Sequence, residues 1–348
     1  MIKYLMNLSG ITPFARKQIE YLVQTAGRFS SHIMYVHQCR TINGKSMLGL
    51  LSLGATGDAP VQVIVEGEDE EKAAATLKKI LEDGVISPRG TEDALQLLAR
   101  VKSAYADILD DRLAGLYVYG SLAYGCFRWE MSDIDILLAV KSDPGLEKRV
   151  KLARVLAELE EDAPPKGFEL NVLLEKDCAA PATLMPYILR YGRENAEEFR
   201  TDPERFCRRA RGTDDRLIRY IAALKTADIT LLGPAPARMF GPVAAEDCLA
   251  SMRLELADAP EALHDRPVYY VLNICRALAY RQGNGMLSKV QCGQWALKRL
   301  DQAYQGIVQA ALNAYQSGTD MFYDHVAAED FVDEYLPQIM KKEAEGEA

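Results

Sequence analysis

Apolar residues change their spacing along this chain in a way that divides it into three stretches. Over residues 2–8, 32–37 and 61–66 they form short strand-like runs. Between these runs, over 13–27 and 69–81, they recur every three or four positions, the period of an amphipathic helix. A short helix opens near Ser46. This alternation predicts a small open α/β sandwich. A long helical stretch covers 91–109, and strands follow over 116–119, 134–140 and 168–174. After about residue 185 the strand signals fade. Three- and four-residue spacing then runs through 214–226, 268–280 and 292–315, so the last third is expected to be helical.

Glu82-Asp83-Gly84 and Ser87-Pro88-Arg89-Gly90 concentrate turn formers between two helical patterns and mark the best linker. The expected class is α+β: the open sandwich over residues 1–86, an α/β domain with a mixed sheet over 90–205, and an all-helical domain over 206–340. A length of 348 residues, 49% of them hydrophobic and 26% charged, agrees with several compact cores. The acidic stretch after Lys341 is expected to fray.

Composition narrows the function. Apolar runs fall far short of the roughly 20 residues a bilayer crossing needs, and the first residues lack the pattern of a secretory signal, so a cytoplasmic location is expected. Seven cysteines, an odd number without a CxxC pair, read as reduced packing residues and suggest no structural zinc. A net charge of −9 disfavours nucleic acid as a partner and suits a small cationic one.

The chemistry concentrates in two places. The strand ending Tyr117-Val118-Tyr119 runs into Gly120-Ser121, whose small side chains let a phosphate approach backbone N–H groups. Ser132-Asp133-Ile134-Asp135 then opens the next strand with two carboxylates two positions apart, and the strand period puts both on one face. Converging carboxylates are costly without a cation, and magnesium carrying triphosphate oxygens is the natural partner. Glu169, at the start of the third strand, can complete a metal site or deprotonate a hydroxyl. Taken singly, Asp133 can equally cap a turn, and Asp135 and Glu169 can be strand-edge charges.

This constellation resembles the nucleotidyltransferase superfamily to which DNA polymerase beta belongs. Over roughly residues 95–317 the chain is similar to the bacterial aminoglycoside adenylyltransferases that modify streptomycin or spectinomycin. The similarity is carried by Ile229-Thr230-Leu231-Leu232-Gly233-Pro234, Phe240-Gly241-Pro242-Val243, Val271-Leu272-Asn273-Ile274-Cys275-Arg276, and Leu287-Ser288-Lys289 with Trp295. The resemblance implies an enzyme that transfers AMP from ATP to a hydroxyl of an aminoglycoside- or aminocyclitol-like acceptor, a reaction of antibiotic resistance. Asp133, Asp135 and Glu169 would be catalytic and hold Mg2+, with Glu169 as base. Gly120, Ser121, Ser132, Arg276 and Lys289 would bind the nucleotide. The chain departs from these relatives around the acceptor. It reads Tyr191-Gly192-Arg193-Glu194 where they carry Phe-Gly-Glu followed by tryptophan, and His264-Asp265-Arg266 falls in the acidic segment before the Arg276 helix. Glu194, Glu261 and Asp265 remain as carboxylates that a cationic acceptor can meet.

Residues 1 to about 85 resemble HPr, the histidine-containing phosphocarrier of bacterial sugar transport, most specifically in the stretch from Asn43 through Ser46 to Gly54. HPr proteins carry a phosphorylatable histidine ahead of the first helix. Here that region reads Gly10-Ile11-Thr12-Pro13-Phe14-Ala15-Arg16-Lys17, with no imidazole to carry a phosphoryl group. Ser46 matches the family's regulatory serine and is also a good helix cap. The domain reads as a docking or regulatory module with a protein partner. Two other functions stay open: a regulatory ATP-binding protein without turnover, and nucleotidyl transfer to a different metabolite or to a protein.

Overall fold

The computed structural model describes residues 1–7, 16–37, 40–52, 60–82 and 89–341. The stretch 8–15 that lacks the histidine, most of the linker (83–88) and the acidic end (342–348) lie outside them. The chain divides into two units, Met1–Arg89 and Gly90–Ala348.

In the first unit, β1 (Ile2–Asn7), β2 (His32–His37), β3 (Arg40–Asn43) and β4 (Pro60–Glu66) form an antiparallel sheet in the order β1-β4-β2-β3. Alternate residues Ile33 and Tyr35 on β2 and Val61, Val63 and Val65 on β4 are buried, and they share a core with Leu22, Ala73 and Leu77 from the helices Arg16–Gly27 and Glu70–Glu82. This is the expected sandwich, with β3 as an addition. Ser46 precedes the helix Met47–Ser52, and its hydroxyl accepts a hydrogen bond from the Gly49 N–H at 3.1 Å, so it caps that helix.

The second unit is built on a five-stranded sheet. Its strands are β5 (Leu113–Val118), β6 (Ile134–Val140), β7 (Phe168–Leu174), β9 (Leu189–Gly192) and β11 (Ile229–Leu232), in the order β11-β5-β6-β7-β9. β6 and β7 run parallel and the other pairs are antiparallel, so the sheet is mixed. Two further short strands, β8 (Met185–Tyr187) and β10 (Gly212–Asp214), pair with each other.

The strand period sorts the sheet into two faces. Even-numbered residues such as Ile134, Ile136, Leu138, Leu170 and Val172 pack under the helices Thr91–Leu109 and Leu146–Leu159, where the buried Tyr105 hydroxyl donates to the Leu152 carbonyl at 3.1 Å. Odd-numbered residues Tyr117, Tyr119, Leu137, Ala139 and Leu173 form the other face, covered by Leu217, Ile221 and Leu224 of the helix Arg216–Thr226. The remaining helices, Ala245–Leu256, Pro267–Arg281, Lys289–Arg299, Gln305–Ser317 and His325–Met340, enclose a separate apolar core around Val271, Ile274, Cys275 and Phe331. Among the described residues no helix is long and apolar enough to cross a membrane.

The strands over 134–140 and 168–174 and the helix over 91–109 fall where their patterns put them. Three expectations are corrected. Strands continue past residue 185, where β9 and β11 join the sheet and β8 pairs with β10. The helical run over 292–315 is two helices, because Asp301 turns its carboxylate onto the Ala303 N–H at 2.9 Å and starts a new turn. The helix expected from 214 begins at Arg216, because Asp214 belongs to β10 and is held by Arg190 and Arg216.

Candidate functional site

At the end of β5, the Tyr119 N–H donates to the Asp135 carbonyl at 3.2 Å, and the chain turns at Gly120 with φ of +68°. That left-handed conformation favours glycine, and space demands it as well. A β-carbon at Gly120 would overlap the Asp135 carboxylate. The neighbouring Ser121 hydroxyl oxygen is buried with no hydrogen-bond partner, an orphan at the wall of a cavity.

Asp135 and Glu169 stand opposite each other in the parallel β6/β7 ladder, and Asp133 lies two residues before Asp135. The three carboxylates approach so closely that one oxygen from each lies within 4.8 Å of the others. Burial and the charges of Asp133 and Glu169 push the Asp135 carboxyl well above the usual carboxylate range, against the pull of Lys289. Burial also raises Glu169, as does the charge of Asp133. A hydrogen bond from Asn171 at 3.2 Å and the charges of Arg216 and Arg190 hold it back. Three hard oxygen donors that repel one another when ionised are a donor set suited to a divalent cation such as Mg2+.

These acids form one wall of a cavity of about 350 Å3, in the size range of small-molecule sites. The sheet and its turns also contribute Gly120, Ser121 and Ser132. The helical part supplies Arg276, Ser288 and Lys289 opposite them. Ser288 caps the Lys289 helix in a reciprocal box with Gln291, its hydroxyl accepting from the Gln291 N–H at 3.2 Å. Arg276 is steadied by the Leu287 carbonyl at 3.2 Å and the Asn273 side chain at 3.1 Å. Lys289 lies over the rings of Tyr269 and Tyr315, 5.3 and 5.6 Å from their centres, and burial and the Arg276 charge push its ammonium down to about 8. The structure therefore brings all eight candidate residues to one cavity.

The sequence reading did not single out Arg219, Glu255, Tyr269 or Tyr315, which also line it. Arg219 pairs with Glu255, and the Tyr269 hydroxyl donates to Glu255 at 2.6 Å. Burial raises the Glu255 carboxyl, but Arg219 and Tyr269 outweigh it and leave the group below its ordinary value. A signal for Glu255 existed in the sequence: it continues the spacing of Cys248 and Met252 on the buried stripe of its helix, where a lone charge needs a reason.

The acceptor candidates separate. Glu261 and Asp265 are exposed, and they and Glu194 are absent from the lining of this cavity. Glu194 instead lines a second cavity of about 320 Å3 with Tyr187, Arg190, Glu198 and Arg209. Arg216 lines both cavities, and Gly192, two residues before Glu194, is the cross-strand neighbour of Glu169.

Residues 238–341 match the family described as the aminoglycoside adenylyltransferase C-terminal domain, and residues 16–83 match the HPr component phosphorylation site of the phosphotransferase system. The phosphocarrier protein HPr of Treponema pallidum (strain Nichols) is 32% identical over 62 residues, which are 18% of this chain and 70% of that protein. The crystal structure of the spectinomycin adenyltransferase AAD(9) from Enterococcus faecialis with ATP and spectinomycin shares the fold of the second unit. It has a TM-score of 0.58 and 14% identity, and the match covers 71% of this chain and 99% of that one.

Proposed function

We propose that this chain, which belongs to the HPr family through its first unit and is a nucleotidyltransferase through its second, transfers AMP from ATP to a hydroxyl of a small aminoglycoside- or aminocyclitol-like acceptor. The observation that carries the reading is the convergence of Asp133, Asp135 and Glu169 with the orphaned Ser121 hydroxyl, opposite Arg276 and Lys289, in one cavity. ATP and spectinomycin, the two compounds with which AAD(9) was crystallised, supply the substrate classes.

Asp133 and Asp135 would hold Mg2+ with Glu169 beside them, and the ion would neutralise the charge of the triphosphate and the charge that develops around the α-phosphorus. Ser121 and the Gly120 turn receive phosphate oxygens, and Ser132 lines the same wall. Arg276 and Lys289 take the charge that gathers on the departing pyrophosphate. Glu169, within reach of both aspartates and held by the Asn171 side chain, is the carboxylate placed to act as base. It accepts the proton of the acceptor hydroxyl as that oxygen bonds to the α-phosphorus, and the bond from the α-phosphorus to the bridging oxygen breaks.

The acceptor enters from the Glu169 side, past Arg216 into the second cavity, where Glu194 and Glu198 offer carboxylates to amino groups. In this reading the second unit comprises a nucleotidyltransferase domain over 90–205 and a mainly helical domain over 206–340, whose strand β11 lends an edge to the sheet of the first. The first unit, without a histidine before its first helix, serves as a docking or regulatory module. The test is pyrophosphate release from ATP and Mg2+ across a panel of aminoglycosides, aminocyclitols and common hydroxylated metabolites. Release with an aminocyclitol and AMP found on the product support the reading. ATP binding with no release for any acceptor would replace it with a regulatory nucleotide sensor.

A further inference from the structure

The turn that delivers Ser132 and Asp133 to the site is closed by hydrogen bonds within itself. The Met131 and Ser132 N–H groups donate to the Arg128 carbonyl at 3.0 and 2.8 Å, and the Arg128 N–H donates to the Ser132 hydroxyl at 3.1 Å. The Arg128 side chain leaves the turn. Its guanidinium donates to the Tyr315 carbonyl at 3.1 Å and to the Gln316 carbonyl, at the C-terminal end of the helix Gln305–Ser317.

The last carbonyls of a helix have no partner within it, and a cation there both satisfies them and meets the negative end of the helix dipole. Gly318, which ends this helix at φ of +75°, lies against the same turn: a β-carbon there would stand 2.9 Å from the Met131 sulfur. The helix end thus seats on the 128–132 turn. Tyr315, whose carbonyl takes the hydrogen bond, presents its ring to Lys289. The Tyr124 hydroxyl makes a second tie, to the Met286 carbonyl beside Leu287 and Ser288.

We propose that Arg128 is a positioning residue, a clasp that fixes the Ser132-Asp133 wall of the cavity to its Tyr315-Lys289 wall and so sets the fraction of molecules ready to receive nucleotide. Arg128 is absent from the lining of the cavity. Without the clasp the two walls separate more often. ATP then has to close the cleft itself, which weakens apparent binding by the fraction lost while the closed complex still reacts. The functional arm of this inference rests on the nucleotidyl-transfer reading; the structural arm does not.

The experiment compares wild type, Arg128→Ala and Arg128→Lys as full chains. In hydrogen exchange without nucleotide, Arg128→Ala speeds exchange together at the Cys126, Met131, Ser132 and Gly318 amides and leaves the strand 134–140 protected. In turnover, it raises the KM for ATP about tenfold, as expected for losing charge-assisted hydrogen bonds, and kcat stays within about twofold. Arg128→Lys, which keeps the charge and one donor, recovers part of both effects. Wild-type exchange rates at those four amides in Arg128→Ala, or a loss of kcat at unchanged KM, overturn the clasp. If wild type binds no ATP, the nucleotidyl-transfer reading fails and the exchange measurement decides the clasp alone.

Discussion

The Gly120 α-carbon lies against the Asp135 carboxylate so closely that no larger residue fits at the turn, and the backbone there is left-handed as well. Gly120→Ala therefore has to move either the turn or the acid. Pyrophosphate release is expected to fall by about 100-fold or more, the scale of misplacing groups at a reacting centre. Stability should drop by about 1–3 kcal/mol, measured by urea unfolding.

Asp135 and Glu169 both bind protons more tightly in the folded chain than in the unfolded one. The contribution of these two groups to the stability of metal-free protein is therefore greatest below the ordinary carboxylate range and is lost as pH rises through their elevated folded values. Magnesium should flatten that slope. Asp135→Asn should raise the melting temperature of metal-free protein near neutral pH, abolish the gain on adding Mg2+, and abolish turnover. Thermal unfolding with and without Mg2+ across pH 4 to pH 8 checks all three.

Lys289 is cationic below about 8 and neutral above it. Only the cationic form attracts triphosphate. Affinity for ATP should be level at lower pH and fall by about tenfold or more as pH rises past 8, with arriving phosphate shifting the midpoint upward. Lys289→Met should bind weakly at every pH and show no such step. Calorimetric titration of ATP over pH 6.5 to pH 9.5 measures it.

Glu194 lines the second cavity and not the one that holds Asp133, Asp135 and Glu169. Glu194→Gln should raise the acceptor KM several-fold and leave the ATP KM unchanged; a split in the opposite sense places the acceptor elsewhere.

Ser46 caps a helix in the unit that lacks the transfer site. Ser46→Ala should destabilise that unit by about 1 kcal/mol and leave nucleotidyl transfer intact, read by chemical unfolding alongside the pyrophosphate assay.

Asp133, Asp135 and Glu169 were legible in the sequence because each sits in or beside a seven-residue strand long enough to show its period, and the period alone assigns the face. Tyr269, Tyr315 and Arg219 were not, since a helix shows only that it has a buried side, and which neighbour fills that side is decided by tertiary packing. β8 to β11 are three or four residues long, too short for alternation to stand out. β9 also carries Arg190, whose charge reads as surface until its contacts with Asn171 and Asp214 are known. The resemblance in 229–243 and 271–297 located Arg276 and Lys289, which periodicity could not have done.

The alternation along β6 places Ile134, Ile136 and Leu138 under the helices and Asp135 in the cleft, so core and chemistry are interleaved residue by residue. Such a strand has a reading frame of two. Deleting one residue within it would turn a carboxylate into the oil and an isoleucine into the cleft, while a change of length in the loop from Ser142 to Gly145 leaves that frame intact and disturbs the Asp143 pairs with Arg149 and Arg211. Sequence drift in this enzyme is therefore expected to run through substitutions along the strand and through insertions only past its end.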